Sequence, residues 1–246
     1  DIAYMTRKAD KYINRYGFTA EDVELFKNSI GAHFHTSGFA HPDIPVITNT
    51  EPNKLQAFTW GLIPVWVKDP ATATKLSRTC LNARGETVFE KPAFKVAAMK
   101  KRCLVVVDGF FEHHRYNGKS YPFFIQMRNE DPFSLAGVWE TWRYQDIVKH
   151  TVSIVTTEAN PLMVKIHNNP KGSETHRMPF IIPQELEKEW LTPINDPLDL
   201  QKLKELVKSY DEEEMIACTV PQLRGKNGIG NKQEACIKIE YPELVF

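Results

Sequence analysis

The segment LNARGETVFEKPAF, residues 81–94, places an amide, a guanidinium and a carboxylate close together in Asn82, Arg84 and Glu86. If NAR is extended, alternation along the chain puts Asn82 and Arg84 on the same face. An amide beside a guanidinium suits a ligand rich in oxygen, such as a phosphate or a sugar. The same side chains could equally form a network that ties a surface loop down, and the segment alone does not decide between these interpretations.

A second candidate is Glu112, which directly follows an apolar run in VVVDGFFEHH. A carboxylate at the end of a buried strand is partly desolvated, which is a setting suited to a general acid. The alternative is a surface glutamate at the entrance of a hairpin. His167 and His176, both in VKIHNNPKGSETHRMPF, could transfer protons near neutral pH, although a lone histidine is more often a structural hydrogen-bonder.

Signals for metals and cofactors are weak. His33 and His35 could share a strand face, but no third ligand is evident, so no metal site is predicted. The sequence contains no GxGxxG, P-loop, GxSxG or HExxH motif, and no cofactor is predicted. Trp60 and Trp66 bracket WGLIPVW; tryptophans usually belong to the core, but on a proline-broken loop they can also stack on an unpaired base.

These residues must be positioned by a strand-rich middle between helical ends. TRKADKYINRYG and TAEDVELFKNSIG predict helices that stop near Gly17 and Gly31, with Thr19 capping the second. QELEKEWL and PLDLQKLKELVKSY predict helices near the end of the chain. The order favours an α+β fold, with a curled or barrel-like, mostly antiparallel or mixed sheet flanked by helices in a single domain, residues 1–246. Strands are predicted in KLQAFTWGLIP, RCLVVVDGFFEHH, SYPFFIQM, FSLAGVWETW, HTVSIVTT and RMPFIIP.

Composition bounds the class of protein. Of 246 residues, 42% are hydrophobic and 25% charged, which is typical of a globular protein. Lys and Arg together number 31, as do Asp and Glu, which argues against a general polyanion binder but leaves a local basic groove open. No apolar run of membrane-spanning length and no secretory leader are evident. The four cysteines are widely spaced, so the expected location is the reducing cytoplasm.

Seven segments follow one another along residues 38–183: WGLIPVW, NARGET, RCLVVVDGFFE, YPFFI, AGVWE, IVTTEANPLMVKIH and RMP. Singly these signals are weak, but their order resembles the SRAP family, the SOS-response-associated peptidases. The NAR.ET and DGF.E patterns are the most specific parts of this resemblance.

The resemblance implies the SRAP fold and a protein that senses abasic sites in single-stranded DNA. In the family, the amine of an N-terminal cysteine attacks the ring-opened sugar aldehyde, and the thiol then closes a thiazolidine that leaves a stable crosslink. A free α-amine has a pKa near ~8, so a useful fraction is neutral at physiological pH. By resemblance, Asn82 would position the N-terminal residue and sugar oxygens, Glu112 would act as acid or base, and His167 would assist proton transfer.

The resemblance also implies contacts with the DNA strand and a choice of histidine. Strand contacts would come from Arg84, Trp66, Thr156 and Arg177. His167 is chosen because the chain aligns without a gap from Thr156 to His167; His176, beside Arg177, is the alternative. The implied partner is single-stranded DNA with abasic sites, bound by a monomer without a membrane or cofactor, and associated with the nucleoid when bound.

The chain departs from the family pattern at its start, DIAYMTRK, where no cysteine precedes Cys80. We expect the nucleophilic cysteine to lie upstream of Asp1, because the pocket residues are present; a member without crosslinking chemistry is the other explanation. His113 stands where the family usually has tryptophan, and the basic residue just after the family's cysteine has no clear counterpart.

Two other functions stay open at this stage. The first is a cysteine-type peptidase, whose minimal form removes a short segment from its own N-terminus; a strand-cleaving lyase activity could also accompany crosslinking. The second is a non-covalent module that binds single-stranded DNA, recognised by salt-sensitive binding without a covalent product.

Overall fold

Strands dominate the middle of the chain and helices its two ends, in a computed structural model that describes residues 1–168 and 175–244. The helices are α1 (Ala9–Tyr16), α2 (Ala20–Ile30), α3 (Pro70–Thr79), α4 (Lys95–Lys100), α5 (Pro161–Ile166), α6 (Glu187–Leu191) and α7 (Pro197–Leu206). The strands are β1 (Ile2–Tyr4), β2 (His33–Thr36), β3 (Asp43–Thr48), β4 (Gln56–Trp60), β5 (Asn82–Arg84), β6 (Arg102–Val107), β7 (Gly109–Tyr116), β8 (Lys119–Met127), β9 (Phe133–Tyr144), β10 (Ile147–Glu158), β11 (Arg177–Pro179), β12 (Ile181–Ile182) and β13 (Met215–Thr219).

Five of these strands close into a barrel. Their order is β10-β4-β3-β6-β9, and β9 pairs back with β10 along the hairpin that joins them. The β10–β4 contact is parallel and the others are antiparallel, so the barrel is mixed. β5 and β11 extend the pairing along β10, and β12 pairs with β9. The predicted α+β fold with a curled, barrel-like sheet is confirmed; the single-domain boundary at 1–246 stays a prediction.

The second sheet is antiparallel, in the order β13-β8-β7-β1-β2. It diverges from the barrel at Asp108, between β6 and β7. β7 begins at Gly109. Only a glycine fits there, because a Cβ would lie 2.3 Å from the Phe124 ring and 2.7 Å from the Ile125 carbonyl oxygen. The sequence predicted an apolar strand that ends just before Glu112, and this is wrong: the chain breaks at Asp108, and Glu112 lies inside β7.

Local sequence signals explain most element ends. Thr19 and Asp22 form a capping box at α2, and Gly17 closes α1 in the left-handed region with φ of 74°. α7 is shorter than predicted and ends at Leu206. Val207 has left the helical conformation, with ψ of 88°, and its side chain packs over Gly85 where a Cβ would lie 2.3 Å away.

The core lies within the barrel and between it and the flanking helices. Every residue of β6 is buried, as its apolar run predicted, because both of its faces are covered. None of the helices in residues 1–168 and 175–244 has the length and apolar composition that crossing a bilayer requires.

One buried carboxylate ties the N-terminal segment to the β6–β7 corner. Asp108 is fully buried and accepts hydrogen bonds from the Thr6 amide at 2.7 Å, the Thr6 hydroxyl at 2.8 Å and the Tyr12 hydroxyl at 2.8 Å. Its own amide donates to the Ala3 carbonyl at 2.8 Å. Burial raises the pKa of the Asp108 carboxyl, although the bonds from Thr6 and Tyr12 oppose this change. The carboxylate thus holds the segment that follows β1, and the Asp108 amide holds β1 itself.

Replacing this carboxylate should therefore loosen the N-terminal segment. We expect Asp108→Ala to lower the free energy of unfolding by about 3 kcal/mol, because it leaves the buried donors of Thr6 and Tyr12 without their acceptor. Urea unfolding measures the change. Asp146→Ala, at an exposed turn between β9 and β10, is the control and should change it by less than about 0.5 kcal/mol. Equal changes in the two variants would contradict this role of Asp108.

Candidate active site

A cavity of about 240 Å³ opens where the barrel meets the second sheet. One part of its wall is polar and the other is apolar. The polar residues are Asp1, Asn82, Glu112, Thr156, His167 and Arg177, and the apolar residues are Ile2, Trp60, Phe110, Phe111, Ile154, Met178 and Pro179. Of the seven site residues that the sequence singled out, the structure brings five to this cavity: Asn82, Glu112, Thr156, His167 and Arg177.

Asn82 and Arg84 lie at the two ends of the three-residue strand β5. This strand runs parallel to β10, with Asn82 opposite Ile154 and Arg84 opposite Thr156. Both side chains are exposed and Ala83 between them is buried, so they share a face as the alternation predicted. Asn82 lines the cavity, whereas Arg84 lies outside its lining.

Glu86, the carboxylate within residues 81–94, is paired with a residue from far along the chain. Arg177 donates two hydrogen bonds to Glu86, at 3.0 and 2.9 Å, and a third to the Thr156 carbonyl oxygen at 2.7 Å. Burial opposes ionisation of Glu86, but the hydrogen bonds from Arg177 and from its own backbone amide, with the charges of Arg177 and Arg84, together lower the pKa of the carboxyl. Arg177 therefore fastens the loop after β5 to β10, and its charge at the cavity wall is matched by Glu86.

Glu112 and His167 face each other across the cavity. The Glu112 Oε2 lies 4.0 Å from the His167 Nδ1, and the Glu112 Oε1 accepts from the His113 amide at 2.8 Å. His167 directly follows α5, whose N-terminus is capped by the Asn160 side chain. The His167 Nδ1 is buried without a hydrogen-bond partner among the described residues. A small rearrangement or a bound hydroxyl would therefore connect the imidazole to the carboxylate.

His176 contacts the backbone of the other histidine and does not line the cavity. Its Nδ1 bonds to the His167 carbonyl oxygen, and the two rings lie 6.1 Å apart and nearly perpendicular. A carbonyl only accepts, so this Nδ1 carries the hydrogen. The geometry thus supports His167 as the proton-transfer candidate and His176 as its support. Residues 169–174, most of the insertion between them, lie outside the described residues.

The two tryptophans occupy different environments. Trp60 is buried at the apolar side of the cavity, donates to the Leu81 carbonyl at 2.8 Å, and packs so closely that a Cβ on Gly38 would lie 3.1 Å from its ring. Trp66 is 46% exposed, donates to the Pro92 carbonyl at 3.3 Å and lies outside the cavity lining. Of these two, Trp66 has the ring surface available for stacking.

The amino-terminal end of β1 places Asp1 at the cavity wall. The Phe111 amide donates to the Asp1 carbonyl at 2.9 Å, one residue before Glu112. In a polypeptide that starts at Asp1, burial lowers the pKa of the α-amine to about 6; the Glu112 charge opposes this change and Arg224 adds to it. Such an amine is mostly neutral at pH 7 and can act as a nucleophile. Sequence reasoning missed Asp1 and Arg224 because no local pattern links two residues 223 positions apart.

No group of three His, Cys, Asp or Glu side chains in residues 1–168 and 175–244 is arranged to hold a metal ion. The described residues bring carboxylates, an imidazole, an amide, a hydroxyl and a guanidinium to the cavity, beside an apolar wall. This set can transfer protons and hold a small ligand rich in oxygen.

The family model of SOS response associated peptidases (SRAP) matches residues 9–226. The chain belongs to this family. The SRAP protein is 37% identical to the "Abasic site processing protein YoaM" of Bacillus subtilis over 182 residues, 73% of this chain and 74% of the relative. It is 29% identical to "Abasic site processing protein HMCES" of Xenopus tropicalis over 171 residues, 59% of this chain and 48% of the relative. A crystal structure of a Bacteroides thetaiotaomicron protein superposes with a TM-score of 0.83, 34% identity and coverage of 97% of this chain and 99% of that protein.

The charges around the end of β1 predict how the α-amine titrates in a SRAP polypeptide that starts at Asp1. Its midpoint should lie near pH 6, with the neutral form above it. Glu112→Gln should lower the midpoint, because a negative charge that favours the protonated amine is removed. Arg224→Gln should raise it, because a repelling positive charge is removed.

Carbon-13 reductive methylation followed by NMR titration measures this midpoint directly. The unfolded chain in urea is the control and should titrate near the ordinary value of 8.0. Shifts of the same sign in both variants would contradict the geometry.

Proposed function

We propose that this SRAP protein processes abasic sites in single-stranded DNA by capturing the baseless sugar covalently in the cavity at the end of β1. The observation that carries the proposal is the meeting of Asn82, Glu112 and His167 with the chain at Asp1 around one cavity. The names of the bacterial and vertebrate relatives support it, since both are called abasic site processing proteins.

The cavity suits a sugar that has lost its base. A ring-opened abasic sugar presents an aldehyde, hydroxyls and two flanking phosphates but no aromatic ring. The amide of Asn82 can hold the hydroxyls, and Glu112 and His167 can exchange protons with the reacting oxygen. The Trp60 ring at the apolar wall is 4% exposed and closely packed, so it offers little surface on which an intact base could stack.

The proposed reaction begins with a neutral amine at the N-terminus of the chain. Its nitrogen attacks the aldehyde carbon, and the two hydrogens of the amine pass by way of Glu112 and His167 to the former carbonyl oxygen. This oxygen leaves as water, and an imine remains. If a cysteine is the first residue, its thiol adds to the imine carbon while the imine nitrogen takes a proton, which closes a thiazolidine. Two bonds to one carbon make the product durable.

The residue that supplies this amine would have to stand beside Glu112. A residue joined to the backbone nitrogen of Asp1 would lie at the cavity, because Asp1 lines the cavity and its carbonyl accepts from the Phe111 amide. This supports our expectation that the nucleophilic cysteine lies upstream of Asp1. The same placement favours a second activity, removal of a short leading peptide, because the bond to be cut would lie beside Glu112 and His167.

Strand contacts are proposed at the rim. Arg84 is exposed next to the cavity, and Trp66 offers a partly exposed ring on a loop. Arg177 and Thr156 form the wall where a flanking phosphate would approach. An imine also acidifies the neighbouring C–H, so strand cleavage of the lyase type could follow capture when the thiazolidine does not form.

A crosslinking assay tests the proposal. Protein with its native N-terminus is incubated with a single-stranded oligonucleotide that carries one abasic site, and denaturing gels follow the shifted band. We expect Glu112→Ala to lower the rate constant by about 100-fold and Asn82→Ala by about 10-fold, because proton transfer and positioning are lost. Glu240→Ala, exposed and remote from the cavity lining, should react normally.

Two outcomes would contradict covalent capture in this cavity. One is a band whose rate is unchanged in both cavity variants. The other is no band from the native protein, although it retains salt-sensitive binding; this would favour a non-covalent single-strand binder.

The Arg177–Glu86 pair predicts a separate effect on DNA affinity. Glu86→Gln should tighten binding of a single-stranded oligonucleotide and steepen the plot of log K against log salt by about 0.7, because one cation at the cavity wall is no longer matched. Fluorescence anisotropy at several salt concentrations measures both quantities. Glu90→Gln, on the same loop but paired with Lys204, is the matched control and should leave both unchanged. Weaker binding by Glu86→Gln would indicate that Glu86 serves only to orient Arg177.

A further inference from the structure

Four side chains from three distant parts of the chain meet at the end of β1. The Asp1 carboxylate bonds to the Arg224 guanidinium through both oxygens, and one of them lies 3.1 Å from the His35 Nε2. Arg224 also donates to the Ser37 hydroxyl at 2.8 Å. The Asp1 and His35 side chains are only 9% and 7% exposed. This group, Asp1, His35, Ser37 and Arg224, is called the clamp below.

The charge state of the clamp follows from its contacts. In a polypeptide that starts at Asp1, burial, followed by the positive charges of the α-amine and Arg224, lowers the pKa of His35 to about 4, so the imidazole is neutral at pH 7. A carboxylate only accepts, so the His35 Nε2 carries the hydrogen and donates it to Asp1. Arg224 is then the cation within the clamp that matches the carboxylate.

A docked C-terminal segment holds Arg224 in place. Asn231 accepts hydrogen bonds from the Phe34 amide at 2.7 Å and the His35 amide at 3.3 Å, so this segment bonds to the edge of β2. The Cys236 thiol donates to the Phe34 carbonyl at 3.2 Å. Leu223, the neighbour of Arg224, is buried in a small apolar cluster with Phe111. The segment that contains Arg224 thus packs against β7, the strand that carries Glu112, and this packing places Arg224 beside Asp1.

The clamp matters because few backbone hydrogen bonds hold the amino-terminal end of β1. β1 has three residues, its pairing with β7 covers only Ile2 and Ala3, and its register against β2 shifts between Ile2 and Tyr4. At Asp1, which precedes Ile2, the backbone hydrogen bond is the one that the Phe111 amide donates to the Asp1 carbonyl. The direction in which the Asp1 nitrogen points therefore depends on what holds the Asp1 side chain.

We propose that Arg224, supported by His35 and Ser37, is a positioning residue that grips Asp1 and so aims the chain's amino-terminal end at Glu112, Asn82 and His167. The inference rests on the proposed function for its consequence, but the grip itself is a property of the folded chain. Arg224 acts through Asp1, because its Nη2 donates to the Asp1 carboxylate and to the Ser37 hydroxyl.

The test compares Arg224→Gln with Lys226→Gln, an exposed cation two residues further along the same segment. Both are made in the full chain with its native N-terminus. Three quantities are measured: amide hydrogen exchange at Ile2–Tyr4, the crosslinking rate constant at saturating abasic oligonucleotide, and the Kd of an intact oligonucleotide. The first needs no DNA chemistry.

If Arg224 positions Asp1, its replacement should change amide exchange and the crosslinking rate constant but not the Kd. Arg224→Gln should speed exchange at Ile2–Tyr4 by at least about 10-fold and slow crosslinking at saturation by a similar factor, because the amine loses its alignment with the sugar while binding is retained. Its Kd should stay within about 2-fold of the parent, as a phosphate contact is not removed. Arg224→Lys should recover part of the rate, and adding Asp1→Asn to Arg224→Gln should cause no further loss, because the two side chains act as one pair.

Other results would overturn the inference. A raised Kd with a shallower salt dependence and an unchanged saturated rate would make Arg224 a phosphate contact. Unchanged exchange and rate, or equal changes in Lys226→Gln, would leave no positioning role. If even the parent protein forms no crosslink, the proposed function fails, and the exchange data alone then decide whether Arg224 grips Asp1.

Discussion

The pairing of β1 with β7 is the interaction on which the candidate site depends. Ile2 lies opposite Phe110, and the Phe111 amide bonds to the Asp1 carbonyl, so the chain enters the cavity one residue before Glu112. The barrel supplies the other wall, because β5 lies parallel to β10 and puts Asn82 beside it. Two sheets that share the β6–β7 corner thus bring an N-terminal strand, an amide and a carboxylate together. The buried Asp108 carboxylate, at that corner, accepts a hydrogen bond from Thr6 and so ties the corner to the segment after β1.

Two ion pairs lie around the cavity, Glu86 with Arg177 and Asp1 with Arg224. A cavity lined by matched charges does not attract polyanions strongly by itself, in keeping with a formal net charge of zero. Its selectivity would then come from shape and hydrogen bonding to a sugar. Matched pairs also preorganise the wall, so the reacting groups need little rearrangement when the ligand enters.

Sequence reasoning succeeded where the signal is local. Thr19 begins α2 and Gly17 ends α1 for reasons that three or four neighbouring residues contain. Asn82 and Arg84 share a face because alternation along a strand requires it. It failed at Asp108, where the break between β6 and β7 depends on Phe124 packing over Gly109.

Long-range partners were out of reach for the same reason. Glu86 and Arg177 are 91 positions apart, and Asp1 and Arg224 are 223 apart. No periodicity or motif links such residues, since only the folded sheets bring them together. The SRAP resemblance supplied the order of the segments and the candidate residues, but the sequence contained nothing that indicated the clamp or the charge pairing at the cavity wall.

The central claim is that the sugar is captured at the amino-terminal end of the chain, inside this cavity. The most direct measurement is peptide mapping by mass spectrometry of the protein after reaction with an abasic oligonucleotide and nuclease digestion. We expect the sugar-phosphate remnant to be attached to the N-terminal peptide, at the α-amine of its first residue. Attachment to lysine side chains on the surface, with an unmodified N-terminal peptide, would contradict it.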